Sequence, residues 1–484
     1  MKHKLSICLL LSVQMVVNPI WADTWIDPET GYRWTYQIYG EEISIYNDAG
    51  SAISPRPSGS VTIPSMIDGN PVTSIGQSAF YGCNGLTSVT IPEGVKSIES
   101  FAFDRCLKLR DVTIPDSVTR LSNYAFYNCN DSLFDTNSIP GVKMVDGWVV
   151  GRMGQLPGIL DLTGARGIVS SVFSGCTGLT NVIIPGSVTS IGESAFSGCS
   201  DLMGISIGVG VATIGNSAFS GCSCLTSVVI PEGVLNVGSR AFYGCSRLKS
   251  VTISSSVMRV GVEAFEGCRE SLFDTTSIPG VKLVDGWAVD DTGQSLGNLT
   301  LTGVRGIADW AFRGCSIGSV VIPDSVLGIG AEAFSWCIGL SMVSIPNSVR
   351  CIGNGAFWSC ENLRQITIPD SVSIIEQDAF GNCRRLQSFT VSSGNLNYKS
   401  ESGLLLSKDG VALILVPGGL ENVTIPEGVK RIGERAFVGC NGLKSLNLPI
   451  GVTSIERWAF DGCGRLQNVT IPDSIEEYRV RCIS

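Results

Sequence analysis

The sequence predicts a repeat solenoid with a parallel sheet on one face and short strand or helical turns on the other. Three observations carry this. The pattern F-x-x-C recurs fourteen times between Phe80/Cys83 and Phe460/Cys463, in most places at a step of 23 residues. Each step also holds an alternation of apolar and hydroxyl residues that ends in proline, as in Leu86-Thr87-Ser88-Val89-Thr90-Ile91-Pro92. Finally, 484 residues are too many for one compact core, while 57 glycines, only 16% charged residues and a positive mean hydropathy suit a long interior with many turns.

Within one coil each segment has a reason. Val89 and Ile91 alternate with Ser88 and Thr90, the period-two signature of a strand with one buried side. Pro92 has no N–H to give a ladder, so the strand ends there. Glu93-Gly94, Asp116-Ser117 and Asp370-Ser371 supply turn chemistry. Val95 and Ile98 fit a second short inward-facing stretch. The A-F-x-x-C segment then has the i, i+3 spacing of one helical turn with Phe and Cys inward. One coil cannot cover this many apolar side chains, whereas stacked coils bury them all and line the phenylalanines up in a continuous column.

The full unit reads C-x-x-L-x-x-V-x-I-P-x-x-V-x-x-I-G-x-x-A-F-x-x-C, and over roughly residues 60–475 the chain resembles the BspA-like leucine-rich-repeat proteins, a group of exported bacterial and protist surface proteins. The resemblance implies a curved leucine-rich-repeat solenoid and adhesion to host proteins, other cells or glycans. The unit departs from the commonest leucine-rich pattern, which places Asn or Cys a few residues after the strand. Here proline stands there, so ligand inferences from eukaryotic receptors do not transfer.

Three stretches break the period and are expected to be two-coil variant modules, near 129–176, 268–315 and 383–440. The first two are near copies: Ser132 to Trp148 returns 139 residues later as Ser271 to Trp287. Asp146-Gly147 and Asp285-Gly286 are tight-turn signals between apolar stretches and predict a small hairpin in each. The third, around Lys408-Asp409-Gly410, reads as a diverged relative.

The ends differ from the array, which is placed at 58–475. Residues 1–22 read as a secretory signal peptide: Lys2 and Lys4 precede an apolar stretch from Leu5 to Val17, and Ala22 stands before the cut. The alternative is a membrane anchor, for which the apolar run is short. Residues 23–57 are rich in aromatics (Trp25, Tyr32, Trp34, Tyr36, Tyr39, Tyr46) and are expected to cap the first coil. Residues 476–484 form a C-terminal tail with no visible cap, sortase-type signal or hydrophobic end.

Several function classes fall away. A net charge of −9 without a basic cluster argues against nucleic acid. The one histidine, His3, lies in the leader, so the mature chain has no imidazole for Ser-His or Cys-His chemistry or for zinc. No non-repeating acidic pair suggests a glycosidase. The repeat cysteines are expected to be buried free thiols rather than disulfides or metal ligands; Cys224, Cys351 and Cys482 lie off the ladder. The acidic residues that follow each strand proline, such as Asp324 and Asp370, read as solvated turns rather than a calcium edge. No enzyme, cofactor or metal is expected.

The candidates for ligand contact are the outward strand residues, short, neutral and hydroxyl-rich. Ser206, Ser227, Ser250, Thr252 and Thr367 are the leading ones, with Ser88, Thr90, Asp111, Thr113, Asn181, Thr390, Thr424 and Thr470 on the same face. Trp148 and Trp287, in the duplicated turns, would either stack on sugars or be buried against the next coil. A secreted or cell-surface binding module for an extracellular protein or polysaccharide follows; the alternative is a structural component of the envelope or matrix without a specific ligand.

Overall fold

A computed structural model describes residues 4–6, 23–39, 42–46, 50–475 and 477–478. The signal-peptide reading (apart from 4–6), Cys482 and most of the tail lie outside these residues. The described chain forms the β-solenoid that its period predicts. It divides into two compact units, 18–257 with 263–272, and 258–262 with 273–484 and 1–17.

One coil of the first unit shows the design. Ser227–Ile230 forms the long strand, its pattern alternating outward and inward. It pairs in parallel with Ser250–Ile253, the same segment one coil on, so that Ser227 stands beside Ser250 and Val229 beside Thr252. After the proline turn, Asn236–Val237 makes a two-residue strand beside Thr213–Ile214. The A-F-x-x-C segment supplies a third ladder: Phe219 N–H donates to the Ala241 carbonyl at 2.8 Å and Gly221 N–H to Tyr243 at 2.7 Å. Coils are therefore hydrogen-bonded on three sides.

That third side is a turn rather than a helix. Cys222 N–H does bond back to the Phe219 carbonyl at 3.3 Å, the i, i+3 closure that the spacing implies. However, Ser217 (φ 53°) just before it and Gly221 (φ 72°) within it are in left-handed conformations, and α-helix cannot run through either. Among the described residues the helical elements are two 3-10 turns in the variant modules, Asp131–Leu133 and Glu270–Leu272.

The interior repeats as the sequence does. Phe173, Phe196, Phe219, Phe242 and Phe265 stack at centroid spacings of 5.1 to 5.7 Å. The rings stack in separate runs rather than the one continuous column expected. Phe80 to Phe126 forms another run in the first unit, and Phe312 to Phe380 and Phe437 with Phe460 form two in the second. The variant modules lack a phenylalanine in register, which breaks the sequence of rings. At the N-terminal end Arg33–Tyr39 pairs with Asp23–Ile26 and Glu42–Ile45, and the latter joins Asn70–Ile75 of the first coil. Fully buried Trp34 meets Phe80 edge-on at 6.0 Å.

In the modules, Val142–Val145 folds back on Trp148–Arg152, and Val281–Val284 on Trp287–Asp291, through turns whose Asp and Gly both have positive φ. Trp148 and Trp287 then pair in parallel with Gly167 and Gly306 of the following coil. The third module has the same antiparallel hairpin, Leu404–Ser407 with Ala412–Leu415, and adds the antiparallel strand Tyr398–Glu401 where the first two have single bridges, Asp135 to Met144 and Asp274 to Leu283.

Candidate functional site

Backbone pairing places the outward strand side chains in registered rows. In the first unit one row runs Ile159, Asn181, Gly204 and another Asp161, Ile183, Ser206. Ser227 with Ser250, and Val229 with Thr252, make the neighbouring pairs. In the second unit Thr367 stands beside Thr390 and Gln365 beside Ser388. Ser206, Ser227, Ser250, Thr252 and Thr367 are all exposed, as are Thr90, Asp111, Thr113, Asn181 and Thr390. Ser88 and Thr470 are half-buried, and Thr424 is exposed but outside any strand. Hydroxyls bond from coil to coil along this face: Ser88 donates to Ser60 at 2.7 Å and Thr470 to Asn447 at 2.7 Å.

Two tryptophans leave the candidate set. Trp148 is 2% and Trp287 4% exposed, so neither ring offers a face to a sugar. Each lies over its paired glycine. A Cβ on Gly167 would come within 2.4 Å of the Trp148 ring, and one on Gly306 within 2.5 Å of Trp287. The signal is present in the sequence. Coils without the insertion carry Ser190 and Thr213 where Gly167 stands, and glycine is what an overlying indole requires.

Sequence reasoning misses other residues of the face. Val229 is 61% exposed, and Ile159, Ile183, Val321 and Met342 also point outward. They occupy the same alternating positions as the serines and threonines, so the face is mixed aliphatic and hydroxyl rather than uniformly polar.

The cysteines form a second regular array. Within a run of coils the thiol donates to the carbonyl of the phenylalanine one coil earlier, as Cys199 to Phe173, Cys222 to Phe196, Cys245 to Phe219 and Cys268 to Phe242, at 3.2 to 3.3 Å. At the start of a run the partner differs, Asp291 for Cys315 and Ser51 for Cys83. The described cysteines are free. Of the off-ladder ones, Cys224 sits 3.7 Å from an Arg247 guanidinium nitrogen, and Cys351 lies in the short-strand ladder between Gly328 and Ile374. Burial pushes the thiols of Cys222, Cys268 and Cys337 up to about 12. Cys176 is the exception, held below the ordinary thiol range by the neighbouring Cys199 thiol and by the Arg152 guanidinium, 3.3 Å away.

These shifts set a pH dependence. In the unfolded chain a thiol ionises near its ordinary value of 9.0, while in the folded chain it stays protonated until about pH 12. The stabilisation is thus fully present below pH 9 and is lost as pH rises from there toward 12, at up to about 1.4 kcal/mol per pH unit for each thiol. Urea midpoints should hold from pH 7 to 8.5 and fall steeply above it, less steeply in Cys222→Ala. Equal slopes in parent and variant would show that the buried thiols do not drive the loss.

Comparison with known proteins decides the family. The BspA type leucine rich repeat region matches in six copies, at residues 59–143, 163–274, 293–402 and 418–484. The chain belongs to this family. Among solved structures, this BspA-type chain is similar to a leucine rich cell surface protein from Faecalibacterium prausnitzii (24% identity, 87% of this chain and 93% of that one, TM-score 0.27). It is also similar to a leucine-rich repeat protein from Bacteroides ovatus (23%, 95% and 89%, TM-score 0.24) and to the pneumococcal vaccine antigen PcpA (15%, 91% and 95%, TM-score 0.27). No curated protein matches the chain. Among the described residues no helix is long and apolar enough to cross a membrane, and no group of three or more His, Cys, Asp or Glu is placed to hold a metal ion.

Proposed function

We propose that this BspA-type chain is an exported, secreted or surface-held binding protein that engages an extracellular protein or polysaccharide through the outward strand face of its repeats. The carrying observation is the registered surface around Ser206, Ser227, Val229, Ser250 and Thr252, ordered by backbone pairing before any ligand arrives. A preordered face loses little further entropy on binding, so many weak contacts add up. Exposed Val229 and Ile183 among the hydroxyls weigh the face toward a protein ligand, because aliphatic surface interleaved with hydrogen-bonding groups is what a protein partner can bury. Export rests on the leader-like residues 1–22.

Saturable binding of the full chain to immobilised extracellular-matrix proteins and polysaccharides tests the reading. The Ser227→Lys/Ser250→Lys double variant should lose at least tenfold in affinity with an unchanged melting temperature, since both side chains face solvent. Asp324→Asn/Asp370→Asn, on the exposed turns, should bind as the parent does. Loss in the turn variant with retention in the face variant would overturn the assignment. Self-association without any saturable partner would favour the structural role instead.

A further inference from the structure

An open groove of about 1050 Å³ lies in the first unit, where the aromatic N-terminal strands meet the first coils, on the short-strand side. Its floor is a registered row. Ser44 stands beside Ser74, Ser74 beside Ser97, and Ser97 beside Arg120. The Ser97 hydroxyl donates to Ser74 at 3.0 Å. Gln37, buried on the cap strand, and Tyr46 line it together with exposed Gln77. Beside Tyr46 lies Gly76, where a Cβ would come within 3.0 Å of the tyrosine side chain, so the missing side chain leaves the ring its place.

The charges of the groove cancel. Glu42 is paired with Lys96 and also accepts from Thr73 at 3.2 Å; Glu99 is paired with Arg120 and accepts from Ser122 at 3.3 Å. The two acids and two bases therefore leave no net charge to hold a polyanion or polycation. What the groove offers is a dense set of donors and acceptors with one aromatic ring. Its carboxylates can accept from, and its guanidinium and ammonium groups donate to, the same pair of adjacent hydroxyls. A volume of this order accommodates several sugar rings.

We propose that this groove binds a neutral oligosaccharide, at a site separate from the strand face assigned above. Net neutrality matches an uncharged ligand, the alternating donors and acceptors match vicinal hydroxyls, and Tyr46 provides the ring against which the C–H face of a sugar packs.

The test uses the full chain against hexasaccharides of neutral glucan, mannan and galactan, with a heparin hexasaccharide as the anionic probe. At least one neutral hexasaccharide should bind saturably, with an affinity that changes less than twofold as salt is raised to about 0.5 M. Tyr46→Ala should weaken it at least tenfold. Gln77→Trp, which places bulk in the groove from an exposed position, should do the same and decides between the outcomes if Tyr46→Ala fails to fold. Ser227→Lys/Ser250→Lys should bind the sugar as the parent does. The proposal is overturned by the absence of neutral-sugar binding, by salt-sensitive preference for heparin, by full binding in a folded Gln77→Trp, or by loss of the sugar in the strand-face variant alone. That last outcome would leave the strand-face reading standing.

Discussion

Phe219→Ala is expected to lower stability by about 3–5 kcal/mol, the range for emptying a buried aromatic site. Phe219 is fully buried and stacks on Phe196 at 5.3 Å and on Phe242 at 5.4 Å, both nearly parallel. The substitution removes two ring contacts along with the burial, and pairs of this kind add roughly 0.5–1.5 kcal/mol beyond area. The backbone around the cavity is held by ladders on three sides, so it cannot collapse to refill the space. Because coils touch only their neighbours, the loss falls on two adjoining interfaces of a linear array. Denaturant unfolding should therefore show a lower midpoint and a broader transition. Phe460→Ala should cost less, since Phe460 contacts one ring of its run, Phe437. An unchanged midpoint for Phe219→Ala would refute the stacked interior.

What is legible in the sequence is whatever repeats. The strand, the proline stop and the buried Phe and Cys each recur at one spacing, so pattern alone fixes which side chains face inward. The turn around A-F-x-x-C reads as helical from sequence because i, i+3 spacing is shared by a helix and by a turn with left-handed residues such as Ser217 before it and Gly221 within it. Trp148 illustrates a second limit. Its place beside the turn allows either stacking on a sugar or burial against the next coil, and pairing with Gly167 in that coil is what buries it. The groove is not legible at all. It exists because a non-repeating segment, with Gln37 and Tyr46, lies against coil residues such as Ser74 and Lys96, and no period sets that register. Val229 and Ile183 escape a reading that expects outward positions to be polar, because a solenoid face exposes whatever the alternation places there.

Asn395→Ala is expected to cost about 3–5 kcal/mol, because it would strand several buried polar groups at once. In regular coils a serine hydroxyl donates to the carbonyl of the turn valine one coil earlier: Ser348 to Val326 at 2.8 Å and Ser371 to Val349 at 2.7 Å. At the next step the chain enters the third variant module, and Asn395 takes that place. Its fully buried amide donates to Val372 O at 2.9 Å and to Pro369 O at 2.8 Å. Its side-chain oxygen accepts from the N–H groups of Asn397 and Tyr398, at 2.9 and 2.8 Å, and so starts the antiparallel strand Tyr398–Glu401. Alanine would leave two carbonyls and two N–H groups without this partner. Asn395→Asp keeps the acceptor but sets a carboxylate against two carbonyl oxygens, and should be at least as damaging near neutral pH. Ser371→Ala, which removes one regular rung, should cost only about 1 kcal/mol. Urea midpoints give this ranking, and hydrogen exchange should quicken first at the Asn397 and Tyr398 amides. If Asn395→Ala matched Ser371→Ala in cost, the asparagine would be one more rung of the ladder and not the group that joins the module to it.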